Sequence, residues 1–218
     1  MKKSAVICFV KTPGLSKPKS RLASGIGEEK ALSIYLGLIQ CISETFLQLE
    51  KENLDLIWAV NESKGVENEL WINRMVWAQP EGTLGEKLLA IEERASRSYE
   101  SWVFIGSDTP ALSSSLVLTA IDLLRAHDFV AGPSLDGGFY LWGGRKKLTA
   151  QLWLTTPFSE QNTLALLTQD LKDVEYLLTL PDLDHAEDIE SVKVSLSSST
   201  SEARHKVLQL LDAFSSRK

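Results

Sequence analysis

Three short runs of apolar residues constrain this chain more than anything else in it: SAVICFV (4–10), LDLIWAV (54–60) and WVFIG (102–106). Each has the length of a strand and lacks polar alternation, so each is expected to be buried on both faces, as in a parallel sheet covered by helices. The intervening segments supply such helices. Residues 28–50 place Ala31, Ile34, Tyr35, Leu38, Ile42, Phe46 and Leu49 at helical spacing. A short amphipathic helix falls near 65–74, MVWAQ (75–79) reads as a strand, and 84–98 is a helix bearing Leu84, Leu88, Leu89 and Ile91. Beyond WVFIG come a helix over 114–127, strands DFVAGP (128–133) and FYLWG (139–143), a helix near 159–172, a strand near 174–180 and a final helix over about 202–214. Strands alternating with helices predict an α/β fold, a three-layer α/β/α sandwich around a mostly parallel mixed sheet. The strands flanking SLDGG stand too close for a helical crossover, so one strand there runs antiparallel.

Composition narrows the function classes. Cys8 and Cys41, the two cysteines, sit in an apolar run and on a helix face, which fits small core residues in a reducing cytoplasm. His127, His185 and His205 are too scattered for a metal-ligand pattern. The N-terminal run is broken too soon by Lys11 and Pro13 for a signal peptide, and no apolar stretch predicts a membrane span. Net charge is −6, yet six of the 23 Lys and Arg lie in residues 1–27, which contain no acid. That asymmetry excludes a broad nucleic-acid surface and suits a small anion site. Residues 1–194 read as one nucleotide-binding domain. Residues 195–218 form a Ser-rich connection and a last helix that either packs back on the domain or makes a homodimer contact.

Ligands of open parallel sheets bind beyond the carboxyl ends of the strands. The loop after the first strand, FVKTPGLSKPKSRLA, gathers Lys11, Lys17, Lys19 and Arg21 around Gly14 and could hold phosphates; it matches no Walker pattern. In QPEGTLGEK (79–87), Gln79 could read a base edge, with Gly82 leaving room for a flat ring. Asp108, after WVFIG, is a candidate metal ligand, since Ser113 can cap the helix that follows. In PDLDHAEDIE (181–190), Asp182 and Asp184 point the same way from an extended segment, whereas Asp188 and Glu190 suit a helix start. Carboxylates facing a polyphosphate require a divalent cation between them, so a basic loop opposite an Asp cluster is what a Mg²⁺–phosphate ligand needs. The SLDGG turn is equally a plain hairpin or a functional loop. The six tryptophans fall on strands and helix faces and read as core.

Taken in order, FVKTPGLSKPKSRLA, QPEGTLGEKL, VFIGSDTPALS, GPSLDGGFYLWG, WLTTPFSEQNTLALL and LPDLDHAEDI resemble a bacterial family of GT-A-like glycosyltransferases, itself similar to the molybdenum cofactor and phospholactate guanylyltransferases. The resemblance runs from residue 4 to about 190. It implies a nucleotide-diphospho-sugar transferase (GT-A) fold and a cytoplasmic transferase that uses Mg²⁺ or Mn²⁺. By position it implies nucleotide and phosphate contacts from Lys11, Lys19, Arg21, Gln79, Gly82 and Thr83, and a metal held by Asp108, Asp182 and Asp184. It further implies an acceptor turn at Asp136, Gly137 and Gly138, with Asp136, Lys19 and Arg21 taking part in catalysis. Lys17-Pro18, Phe139 and His185-Ala186 depart from the family pattern.

Two chemistries fit these partners, a nucleotide or nucleotide-sugar and a small-molecule acceptor. In glycosyl transfer, the preferred reading, an acceptor hydroxyl attacks the sugar of a nucleotide-diphospho-sugar. In nucleotidyl transfer, the alternative, an acceptor phosphate attacks the α-phosphorus of a nucleoside triphosphate and pyrophosphate leaves. A non-catalytic nucleotide-binding protein is the third reading.

Overall fold

The three apolar runs form the middle of a seven-stranded sheet in a computed structural model that describes residues 3–158 and 160–215. In chain order the elements are β1 (Ser4–Val10), α1 (Ser20–Ile26), α2 (Glu28–Leu49), β2 (Leu54–Val60), β3 (Met75–Ala78), α3 (Leu84–Ser98), β4 (Ser101–Ile105), α4 (Ser114–Leu123), β5 (Phe129–Pro133), β6 (Phe139–Gly144), α5 (Ala150–Thr155), α6 (Thr163–Thr168), β7 (Val174–Tyr176), α7 (Ile189–Leu196) and α8 (Glu202–Ser215). The strand order is β3-β2-β1-β4-β6-β5-β7. Only β6 runs against its neighbours, antiparallel to both β4 and β5, as the short SLDGG connection predicts.

Alternate residues of each central strand feed two cores. Val6, Cys8 and Val10 of β1 pack with Tyr35, Ile42 and Phe46 of α2 and Val117 of α4. Ala5 and Ile7 face the other way, toward Leu88 and Ile91 of α3, Trp153 of α5 and Leu167 of α6. This two-sided burial explains the missing polar alternation. The opposite face of α2 carries Ile34, Leu38 and Cys41 against Val192 of α7 and Val207 and Leu211 of α8. By length and composition α2 is apolar enough to cross a membrane, but its apolar residues are spent between the sheet and α8. All six tryptophans are buried. Both cysteines are free and buried, and burial raises both thiols, Cys41 to about 12, which makes them packing groups.

The predicted helix near 65–74 is two single 3₁₀ turns, Ser63–Gly65 and Glu69–Trp71. The chain there needs only to return from β2 to the adjacent parallel β3, and burial of Trp71 anchors it. The helix expected from 159 to 172 is the shorter α6. Its first turn is replaced by a bend in which the Thr163 hydroxyl bonds the Pro157 and Glu160 carbonyls, and Ser159 lies outside the described residues. The helices α1 and α5 were not expected, whereas α7 begins at the helix start that Asp188 and Glu190 marked; α5 starts where Thr149 accepts the Leu152 N–H. Arg204 of α8 is buried and donates to the Pro110 and Leu112 carbonyls at 2.8 and 2.6 Å, tying the last helix to the loop after β4.

Candidate active site

Because six strands run the same way, the loops after β1, β2, β3, β4, β5 and β7 all open on one edge of the sheet. Two adjoining cavities lie there. The first, of about 510 Å³, is lined by Lys11, Lys19, Arg21, Gln79, Lys87, Asp108 and Asp184, among others. The second, of about 210 Å³, shares Arg21, Asp108 and Asp184 and adds Asp136, Gly138 and Asp182.

The loop after β1 is built around Lys19. Its backbone is left-handed (φ 56°), an uncommon state for a residue with a side chain, and it directly precedes α1. The side chain turns inward and is only 3% exposed. Its ammonium lies 2.8 Å from Asp108 Oδ1 and 2.8 Å from Asp184 Oδ1, and the Arg21 guanidinium lies 3.4 Å from Asp184 Oδ2. Loops more than 80 residues apart in sequence are thereby held together by charge, and the Leu183 N–H adds a 3.0 Å bond to the Asp108 carbonyl. Burial alone would lower the Lys19 pKa and raise that of Asp184. The opposed charges outweigh it, so Lys19 is raised and Asp184 lowered from their ordinary values. Lys11 is fixed through its backbone, whose N–H donates to the Tyr35 hydroxyl at 2.9 Å while that hydroxyl donates to the Lys11 carbonyl at 2.7 Å. Lys17 pairs with Glu28 on the outer surface, away from the cleft.

Asp108 is available because Ser113 caps α4, accepting the Leu116 N–H. Asp182 does not join the cluster around Lys19. Leu183 between the two acids is buried, and Asp182 lines only the second cavity. There burial, then the charges of Asp136 and Asp184, push its carboxyl up to about 7. Among the described residues no three His, Cys, Asp or Glu side chains form a ready metal cluster. The predicted ligand triple is therefore present as a pair on one cation, with Asp182 apart. The pair fits a hard divalent ion: two carboxylate oxygens converge on a single positive charge, and Mg²⁺ typically needs no more than one or two from the protein.

Gln79 is buried at the cavity wall. Its carboxamide nitrogen donates to the Ala59 carbonyl at 2.7 Å, which turns its oxygen into the end free to accept. Gly82 and Thr83 stand at the start of α3, outside the lining of these two cavities. Gly82, at φ 127°, passes close to the Glu86 carboxylate, and Thr83 and Glu86 form the capping box of α3, so neither Gly82 nor Thr83 lines a cavity. Lys87, one turn into α3, reaches Asn61 Oδ1 across the first cavity. It was missed because QPEGTLGEK drew attention to its glycines; its cation four residues after the Thr cap was the available clue.

In the SLDGG turn, Asp136 Oδ1 accepts the Ser134 hydroxyl (2.6 Å) and the Gly138 N–H (2.8 Å), which aims the other oxygen at the second cavity. Gly137, at φ 87°, packs on the Gln161 carbonyl and takes no part in the lining. Its carbonyl accepts the Leu164 N–H, so the turn is docked on the start of α6.

Comparison with solved structures identifies the fold. A protein from Desulfovibrio desulfuricans assigned as a nucleotide-diphospho-sugar transferase superposes with a TM-score of 0.80 over 98% of this chain and 99% of its own, at 24% identity. The 4-diphosphocytidyl-2C-methyl-D-erythritol synthase of Anaerococcus prevotii gives 0.58 over 90% and 99%, at 13% identity. Glucosyl-3-phosphoglycerate synthase of Mycobacterium tuberculosis, solved with Mn²⁺, UDP and phosphoglyceric acid, gives 0.50 over 90% and 78%, at 14% identity. The sheet order, with its single reversed strand, is thus the nucleotide-diphospho-sugar transferase fold that the motif order implied. No curated protein sequence matches. A family model does match, over residues 44–160 and so over more than half of the chain. The chain belongs to the family described as "Uncharacterized protein conserved in bacteria (DUF2064)".

Proposed function

We propose that this chain is a divalent-metal-dependent transferase that takes a nucleotide-diphospho-sugar and passes the sugar to a hydroxyl of a small acceptor. One observation carries the reading: Lys11, Lys19 and Arg21 meet Asp108 and Asp184 in a single cleft at the carboxyl edge of the sheet. Cations alone would suit any anion, and carboxylates alone would repel a diphosphate. Together they suit a diphosphate that arrives with a metal ion. Asp108 and Asp184 would hold Mg²⁺ or Mn²⁺, which supplies charge withdrawal from the leaving diphosphate. Mn²⁺ accompanies UDP in the mycobacterial structure of the same fold.

The chain's own residues supply the remainder. Lys11 and Lys87 stand on the walls of the larger cavity, where they neutralise phosphate oxygens, and the Gln79 oxygen accepts from the base. Asp136, oriented by Ser134 and Gly138, takes the acceptor's proton. As the acceptor oxygen bonds the anomeric carbon, the bond from that carbon to the diphosphate oxygen breaks, and its electron pair stays on the nucleoside diphosphate. Lys19 and Arg21 stabilise the charge that develops there. Nucleotidyl transfer remains the second reading, favoured by Lys87 as an additional cation for a third phosphate.

Calorimetric titration of UDP-glucose, GDP-mannose and the nucleoside triphosphates, with and without Mn²⁺, tests the reading. Asp108→Asn should weaken metal-dependent nucleotide affinity at least ten-fold while the chain stays folded at the assay temperature, because the aspartate caps no helix and Asp184 still pairs with the buried Lys19. Equal affinity in the variant refutes it. Chromatography of a turned-over mixture separates the two chemistries, since one releases a nucleoside diphosphate and the other pyrophosphate.

A further inference from the structure

The second cavity carries the acceptor's chemistry. It lies beside the donor cleft and shares Asp108 and Asp184 with it, so whatever receives the transferred group occupies this space. Its walls are of two kinds. Phe104, Phe139 and Phe158 supply ring surface, and Asp136, Asp182 and Glu160 supply carboxylates. Among the described residues none of those three acids has an ion-pair partner within 4 Å; the one cation on the wall, Arg21, is already paired with Asp184.

Charge decides what fits. If Lys19, Arg21 and a divalent ion are all assigned to Asp108, Asp184 and the donor phosphates, the carboxylates of Asp136 and Glu160 still face the cavity without an ion-pair partner. An acceptor phosphate or carboxylate entering there would meet like charge at close range, which costs rather than gains binding. The rings favour an apolar or aromatic face, on which a cation also gains. A volume of about 210 Å³ admits one ring and its substituents. Resting on the donor reading above, we infer that the acceptor is a small alcohol with an apolar face, neutral or cationic, and bears no phosphate or carboxylate. Its hydroxyl gives its proton to Asp136 as it bonds the sugar. This acceptor class speaks against nucleotidyl transfer to a phosphorylated molecule.

Ligand-observed saturation-transfer NMR with three matched probes, benzyl alcohol, benzylamine and phenyl phosphate, tests the inference on the full chain. The alcohol and the amine should receive saturation at least three-fold more strongly than phenyl phosphate. The exposed double variant Asp136→Asn, Glu160→Gln should raise the phosphate signal at least three-fold and weaken that of benzylamine. Phenyl phosphate binding as well as benzyl alcohol overturns the inference, and so does an absence of binding by all three probes. UDP and GDP titrated in parallel report on the donor cleft: if they fail to bind while the probes behave as stated, the donor reading falls and the acceptor class stands.

Discussion

Backbone and side chain act together at Lys19. A left-handed conformation costs a residue with a side chain about 1–2 kcal/mol, yet it aims the ammonium into the cleft, where Asp108 and Asp184 close on it. The ammonium occupies the point on which both carboxylates converge, so a divalent ion must displace it. Lys19→Met should therefore bind Mn²⁺ alone about five- to ten-fold more tightly than the parent chain. It should also bind nucleoside diphosphates more weakly and melt lower in the absence of metal, because two facing carboxylates lose their counter-ion. Calorimetry with Mn²⁺ alone is the check; unchanged or weaker Mn²⁺ binding would show that Lys19 and the metal do not compete. The positive charge of this residue was plain in the sequence. Its burial was not, because burial depends on Asp184, which lies 165 residues away.

Among the elements, the β5–β6 connection depends most on one residue. Gly137 combines a positive φ with contact against the Gln161 carbonyl, with which a Cβ would collide. Gly137→Ala should push the turn off the start of α6, break the Leu164–Gly137 bond and move Asp136 out of line. Transfer should fall at least ten-fold while nucleotide affinity changes less than two-fold, because the donor cleft is built from other loops. Parallel loss of both would place the turn in the donor cleft instead. From sequence this D-G step was balanced between a plain turn and a functional loop. The structure shows the turn, which Gly137 makes, and sets Asp136 on the cavity wall, where its part in catalysis is the proposal to be tested.

Across the whole molecule, Glu92 joins the layers on one side of the sheet. From α3 its carboxylate accepts the Leu148 N–H at 3.2 Å and the Trp153 indole N–H at 2.9 Å, and burial raises it to about 7 from an ordinary 4.5. A raised acid binds its proton more tightly folded than unfolded. Stability should therefore fall as pH rises from about 4.5 to 7 and level off above, by up to about 3 kcal/mol from this group. Glu92→Gln removes that dependence. Its melting temperature relative to the parent chain should be higher at pH 8 than at pH 5, as read by calorimetry; a pH-independent difference would mean that Glu92 is ionised throughout.

The sequence by itself determined the layered α/β plan. The uninterrupted apolar runs of β1, β2 and β4 can be satisfied only by burial on both faces, and the short SLDGG link forces β6 to reverse. It also marked the loops at the working edge, because polar and glycine-rich segments follow each buried strand. Only the tertiary structure decided which charges meet. Lys19 between Asp108 and Asp184, Asp182 apart in the second cavity, Lys87 on the cleft wall and Arg204 beneath the Asp108 loop all rest on contacts between distant segments. Strand burial is a local property of composition and period. Charge pairing is set by distances of a few ångströms between segments that the local pattern leaves free.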